Sequence, residues 1–386
     1  MKRRRRIFIK RNSNRFYYVI AGVAAIIFLA VAISCFFSGK GKVPSSQNNK
    51  SNTVPPVTYK RISTIINKNP QIINMLEIDS SRKDVEIRPI LSKDEVFGYE
   101  KTSSMLSRKK AYAGTNGGFY NTYGQPSGLI AIDGKLITSG GGYPTLYTDD
   151  NGRTYLNKIK TEISVEVEGK SLILDSMNKT PGKNSAVILT EDFGLTTRIS
   201  RKALNIIIEG DTIKKIISSK APVTIPEKTK VIVGTGNKIA LLSGLKVGQK
   251  INLKILFDSG ISVKNAIECG SWIVKNGNTV VRNYDPWIGS TRTREPRTAV
   301  GLKPGGKVLI VTVDGRQPKK SIGFTGKELA EFLKSSGVTD ACFLDGGGST
   351  TMWINGKVIS TPSYQTGERK VGNALGVFVN GFPKDN

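Results

Sequence analysis

Four times in this chain a short apolar run reaches a tight glycine turn and a second short run follows. Residues 129–132 and 135–137 flank Asp133-Gly134, and 204–208 and 212–217 flank Glu209-Gly210-Asp211. Residues 272–274 and 279–281 flank Asn276-Gly277, and 352–354 and 357–359 flank Asn355-Gly356. Asn-Gly and Asp-Gly suit two-residue antiparallel hairpins, whose central positions need φ > 0. With 41 glycines and 38 % apolar residues, the chain has both the turns and the core material for a sheet-rich domain. One helix is predicted from Gly326: Thr325 and Glu328 fit a capping box, Leu329, Ala330, Phe332 and Leu333 share a face, and Gly337 supplies the stop. A second is predicted over 99–108. No internal repeat is evident. The expected fold is α+β, mainly antiparallel or mixed sheet with a few packed helices.

The N-terminus reads differently. The formal net charge is +28, and eight Lys and Arg with no acid fall in residues 1–15, which leaves +20 for the rest. Residues 16–37 contain no charge. As a helix this run would be about 33 Å long, enough to cross a bilayer core. Phe16, Tyr17 and Tyr18 would sit at the inner interface, with the basic cluster held in the cytoplasm. Cys35 follows Ala32-Ile33-Ser34 and faintly resembles a lipoprotein site, but Phe36 and Phe37 continue the apolar run, so the reading is an uncleaved anchor. The expected organisation is a cytoplasmic tail (1–15), one transmembrane helix (16–37), a flexible Ser/Asn/Lys/Pro-rich linker (38–57) and an extracellular domain (58–386). A basic surface there favours an anionic wall polymer or lipid. Nucleic acid is not expected as a partner, because no basic stretch is interleaved with aromatics as single strands require.

The chain has no histidine. That excludes a Ser-His-Asp triad, a Cys-His pair and a histidine base, so carboxylates must move any protons. Cys269 and Cys342 show no metal spacing and read as two buried thiols. No metal or cofactor is expected. Four elements carry the candidate chemistry. Asp345-Gly346-Gly347-Gly348-Ser349 places an acid at the end of an apolar strand before three bare residues, whose N–H groups suit an anion. Asp314-Gly315-Arg316 ends another apolar run. Arg297-Thr298-Ala299 lies just before a strand, and the fourth element is Asn116-Gly117-Gly118-Phe119-Tyr120, followed by Gly128-Leu129-Ile130.

In order and approximate spacing these elements resemble the phosphodiester glycosidase family, and the chain is read as a bacterial, membrane-anchored member. The resemblance covers roughly 111–379 and includes the predicted helix and the closing Arg369-Lys370-Val371-Gly372-Asn373-Ala374. Residues 174–253 look like the middle region of bacterial members. Glu268, within Ile267-Glu268-Cys269-Gly270, and Arg316 depart from the pattern. Glu268 is either a further catalytic acid or an unrelated surface acid.

The resemblance implies hydrolysis of a sugar esterified to phosphate, through an oxocarbenium-like state that two carboxylates usually serve. Asp314 and Asp345 are the expected pair. Arg297 would grip phosphate, with Arg316 and Thr298 nearby. Gly346, Gly347 and Gly348, or Gly117 and Gly118, would add N–H groups. Asn116, Ser349 and Asn373 would bind sugar hydroxyls or orient water. The expected substrate is a sugar 1-phosphodiester, in a wall polymer or exopolysaccharide. The rival readings are a non-catalytic module for anionic wall polymer and an ordinary polysaccharide glycosidase.

Overall fold

The computed structural model describes residues 55–257 and 260–381. The basic tail, the charge-free stretch 16–37 and nearly all of the expected linker lie outside these residues. Among the described residues no helix is long and apolar enough to cross a membrane. The first strand begins at Val57, one residue inside the expected linker, because Val57 already buries its side chain in the core.

All four hairpins form: Ile130–Ile132 with Lys135–Thr138, Ala203–Glu209 with Thr212–Ser219, Trp272–Lys275 with Asn278–Thr279, and Met352–Ile354 with Lys357–Val358. At three of the turns both central residues hold φ > 0: Asp133 and Gly134, Asn276 and Gly277, Asn355 and Gly356. This is the geometry that matches strand twist in a two-residue hairpin. The hairpins do not pile into one sheet; each joins a different one.

The largest sheet has seven strands in the order Val57–Ile66, Asn69–Asp79, Lys307–Val313, Arg297–Lys303, Asp340–Phe343, Trp272–Lys275 and Asn278–Thr279, each antiparallel to its neighbour. Its two faces follow the period of two. Val300, Val308, Ile310, Cys342 and Leu344 enter the core beneath the sheet, while Ala299, Leu309, Val311, Val313, Ala341 and Phe343 pack against the helix Gly326–Ser335. That helix buries Leu329, Ala330 and Leu333 on the sheet, carries the expected capping box, and ends before Gly337 at φ +80°. The second expected helix is shorter, Thr102–Arg108, because Glu100–Lys101 pairs with Lys370–Val371 instead.

Beneath the large sheet lie three five-stranded sheets. One runs Lys357–Val358, Met352–Ile354, Ala113–Asn116, Asn373–Val379, Val85–Leu91. Another runs Lys135–Thr138, Ile130–Ile132, Asn265–Glu268, Pro144–Thr148, Thr154–Lys158. The last, in the middle of the chain, runs Ser176–Met177, Ala186–Thr190, Thr229–Thr235, Ala203–Glu209, Thr212–Ser219, with its first pair parallel. Leu375, Val377, Leu146, Ile267, Val187 and Val231 from these sheets meet the inner face of the large one. Each such side chain contributes about 1.5–3 kcal/mol of burial. Cys269 and Cys342 are buried free thiols, and burial pushes the Cys342 thiol well up.

Register brings the candidate residues to one end of the large sheet. Arg297 pairs with Val313 and Ala299 with Phe343, so Arg297, Asp314 and Asp345 all leave their strands at the same edge. In the neighbouring sheet Ala374 pairs with Asn116, which sets Asn373 against Gly117.

Candidate active site

Asp345 stands where two sheets meet. Its N–H donates to the carbonyl of Gly117, and its carbonyl accepts from Asn116 Nδ2 at 2.6 Å. The carboxyl is enclosed by protein, although the residue keeps partial exposure. Burial pushes it up to about 6, against the opposing pull of the Ser349 hydroxyl, the Arg369 guanidinium and the Gly346 amide. Burial also pushes the Tyr120 phenol up, and the charge of Asp345 adds to that shift. Among the described residues neither Ser349 Oγ, although it lies close enough to Asp345 to pull on it, nor Tyr120 OH closes a hydrogen bond of good geometry, and the buried Asn373 Oδ1 closes none either. Orphaned polar atoms of this kind each cost about 1–3 kcal/mol unless a ligand or water meets them.

Within the triglycine it is Gly347 whose backbone, at positive φ, calls for glycine. A Cβ on Gly347, which sits at φ +59°, would lie 3.2 Å from Arg316 Nη2, and a Cβ on Gly348 would lie 3.6 Å from Arg369 Cδ and 3.4 Å from Tyr364 Cδ2. Two guanidinium side chains therefore approach the loop that follows Asp345. Arg316 is tied to Glu295 at 2.7 Å, and Arg369 lies over the Tyr364 ring. The amides of Asp345, Gly347 and Ser349 are already bonded to backbone carbonyls, so the loop is a rigid turn rather than an open row of donors.

Several expected roles are not met. Asn116 has no free group for a sugar: its Oδ1 accepts from Thr298 Oγ1 and from the Thr351 amide, and its Nδ2 holds Asp345 in place. Thr298 is spent on the same lock. Gly117 and Gly118 are there for close approach, since a Cβ would meet Asn373 Oδ1 at 2.1 Å and the Glu268 carbonyl at 2.6 Å. The Gly117 amide donates to the Asn373 carbonyl, so it is not an anion nest.

Arg297 is 3 % exposed and turned onto the helix side of the sheet. Its Nε donates to the Phe324 carbonyl at 3.0 Å and its Nη2 to that of Thr293 at 2.9 Å. Burial pushes the guanidinium down, with Glu295 and Asp285 pulling back. It fastens two loops and is not presented to a phosphate. Asp314 shares the opposite face with Thr312. Its Oδ1 accepts from Asn74 and its Oδ2 from the Thr361 amide at 3.0 Å, and 1 % of the residue is exposed. Burial pushes Asp314 up, opposed by Thr361, Arg61 and Asn74. The groups that bias Asp314 and those that bias Asp345 do not overlap. Of the three residues expected to act together, Arg297 and Asp314 are sealed in the frame by their own hydrogen bonds, and Asp345 alone keeps partial exposure.

Glu268 is neither a surface acid nor exposed to a pocket. It accepts from the amides of Leu129 (2.8 Å), Gly141 (3.0 Å) and Tyr143 (3.0 Å), and Gly128 and Gly140 leave it room. Behind it, Lys179 donates to the carbonyls of Pro126, Ser127 and Gly128 at 2.6–2.9 Å. Burial pushes this ammonium down to about 7, and the charge of Glu268 pulls it back up. Together they grip the turn that follows Tyr120.

Tyr120 and Arg369 were present in the sequence elements quoted above, but nothing there gave them chemistry. Their roles depend on the fold bringing residues 120, 349 and 369 together.

Residues 202–378 match the family model for phosphodiester glycosidase. Over these residues the chain is similar to the phosphodiester glycosidase family. That match contains Asp345, Ser349, Arg369 and Asn373 but starts after Asn116 and Tyr120. Among curated proteins, the chain is 31 % identical over 115 residues to the SPbeta prophage-derived uncharacterized protein YomE of Bacillus subtilis (strain 168), covering 30 % of this chain and 17 % of that protein. It is 34 % identical over 104 residues to mouse N-acetylglucosamine-1-phosphodiester alpha-N-acetylglucosaminidase, covering 24 % of this chain and 20 % of the enzyme. The matches thus span a fifth or less of each relative's length.

Solved structures share the fold. A hypothetical protein from Synechocystis aligns at TM-score 0.74 and 18 % identity, over 84 % of this chain and 62 % of that one. A putative exported protein from Burkholderia pseudomallei K96243 aligns at 0.68 and 23 %, over 81 % and 74 %. The zebrafish catalytic domain of the acetylglucosaminidase, auto-inhibited by its pro-peptide, aligns at 0.51 and 16 %, over 85 % of both chains.

Proposed function

We propose that this domain hydrolyses the glycosidic bond of a sugar 1-phosphodiester at a cell surface, with Asp345 as its working carboxylate. The observation that carries the reading is the enclosed Asp345 carboxyl, raised to about 6, beside Arg369 and the unpartnered Ser349 and Tyr120 hydroxyls. At neutral pH such a group is mostly ionised and matched to accept a proton from water. Water adds to the anomeric carbon, its proton passes to Asp345, and the carbon–oxygen bond to phosphate breaks. The phosphate monoester leaves as an anion that needs little protonation, so no second acid is required. In this reading Arg369, with Arg316 across the triglycine, would hold its charge. Ser349, Tyr120 and Asn373 offer polar atoms for sugar hydroxyls. A single displacement of this kind inverts the anomeric centre.

The surface location rests on sequence: the charge-free 16–37 run after a basic tail supports a single-pass anchor with the domain outside. An anionic wall polymer or exopolysaccharide there fits the remaining charge of +20 as the source of substrate. The test is to incubate the purified chain separately with a glycosyl 1-phosphodiester, an aryl glycoside and an aryl phosphodiester, and to follow the products by NMR. The expected result is free sugar from the first alone, released with inverted configuration. Cleavage of the aryl phosphodiester without free sugar from the first would overturn the reading.

A further inference from the structure

The middle sheet carries a basic groove that this chemistry does not use. It is a shallow hollow of about 690 Å³, lined by Lys183, Arg201, Lys202 and Asn237 beside an apolar wall of Ile239 and Ala240, with no carboxylate. Among the described residues none of the three cations pairs with an acid, whereas the adjacent Lys238 is neutralised by Asp175. The groove is also rigid. A Cβ on Gly236 (φ +55°) would lie 2.0 Å from Asn184 Oδ1 and 2.5 Å from the Lys183 carbonyl, so the turn packs directly on the Asn184 side chain and the Lys183 backbone. Thr235 Oγ1 donates to the Gly182 carbonyl at 2.7 Å, and the Asn237 amide donates to Asn184 Oδ1. Arg201 is held in place by the carbonyls of Pro181 and Gly182. One anchored guanidinium and two exposed ammonium groups around one hollow make a site where a counter-charge from outside is favoured.

The groove is also tied to the catalytic wall. Lys179 holds the 126–128 turn, whose Pro126 bridges to Tyr120. Four residues later the chain reaches Lys183, at most about 14 Å away. We propose that this groove binds a second anionic group of the same substrate, so that the substrate is a polymer with repeating phosphates rather than an isolated sugar phosphodiester. The polymer assignment rests on the function proposed above, but the anion site does not.

The test uses the full chain carrying D345N, so that binding is read without turnover, with defined-length inorganic polyphosphate as probe and orthophosphate as the single-anion control. K183E/K202E is expected to weaken polyphosphate binding about tenfold and to flatten the slope of log affinity against log salt by about 1–2. The control pair K228E/K230E on the same sheet is expected to change affinity by about twofold or less. In the active chain, K183E/K202E is expected to leave turnover of a monomeric glycosyl 1-phosphodiester and the melting temperature unchanged. Unchanged polyphosphate affinity in K183E/K202E at wild-type melting temperature would overturn the proposal, as would equal losses in both charge-reversal pairs. Polyphosphate held through the groove by a chain that releases no sugar would uphold the anion site and remove the catalytic reading.

Discussion

Glu268 and Asp345 are both acids at strand ends next to glycines, and they have opposite surroundings. Around Glu268 each oxygen is met by backbone amides, and Lys179, which feels its charge, is itself caged by three carbonyls. Around Asp345 the neighbouring hydroxyls of Ser349 and Tyr120 close, among the described residues, no hydrogen bond of good geometry, and an exposed arginine approaches. A carboxylate with every lone pair engaged holds loops together. A carboxylate whose neighbours still lack partners is where a substrate can be met. Glycines beside an acid do not separate the two cases; the count of satisfied atoms does.

The sharpest way to break this contrast is D345N. Loss of a general base lowers turnover by about 10²–10⁴-fold, and the fold should survive. Stability should change in the opposite direction. The folded pKa of Asp345 is raised from 3.8 to about 6, so its contribution to stability is complete below the unfolded value and is lost as pH rises through 6. At pH 7 the charged form therefore costs at most about 3 kcal/mol. Thermal melts should show D345N more stable than wild type at pH 7 and equal to it near pH 4.

E268Q should reverse that pattern. It replaces a charged acceptor of three amides and leaves Lys179 without its counter-charge, a loss of about 2–4 kcal/mol by chemical denaturation. A wild-type melt with abolished turnover would move the active site to Glu268. G140A crowds the same acid, since its Cβ would fall 2.0 Å from Glu268 Oε2 and 2.6 Å from Leu129 Cβ. Overpacking of this kind costs about 1–3 kcal/mol, again read by denaturation. D314N is the mildest. An amide oxygen can still accept from Thr361, so the expected cost is about 1 kcal/mol or less, with turnover within about twofold of wild type.

The hairpins, the capped helix and the strand-end position of Asp345 were legible because each rests on local chemistry: turn φ values, a capping box, glycine clearance. Arg297 was not. A one-residue step along a strand moves a side chain to the other face, and only the register with Val313 and the helix packing show which face it takes. Asn116 and Asn373 look alike in sequence, yet the first is fully bonded and the second retains an open Oδ1. Arg369 and Tyr120 lie 249 positions apart. Their meeting at Asp345 is a product of sheet topology, which no local pattern encodes.

The most direct measurement is kcat/KM on a glycosyl 1-phosphodiester from pH 4 to 8, for wild type and D314N. If Asp345 alone serves the chemistry, both profiles will rise through one ionisation near pH 6. Disappearance of that limb in D314N, with Asp345 intact and the protein folded, would contradict it.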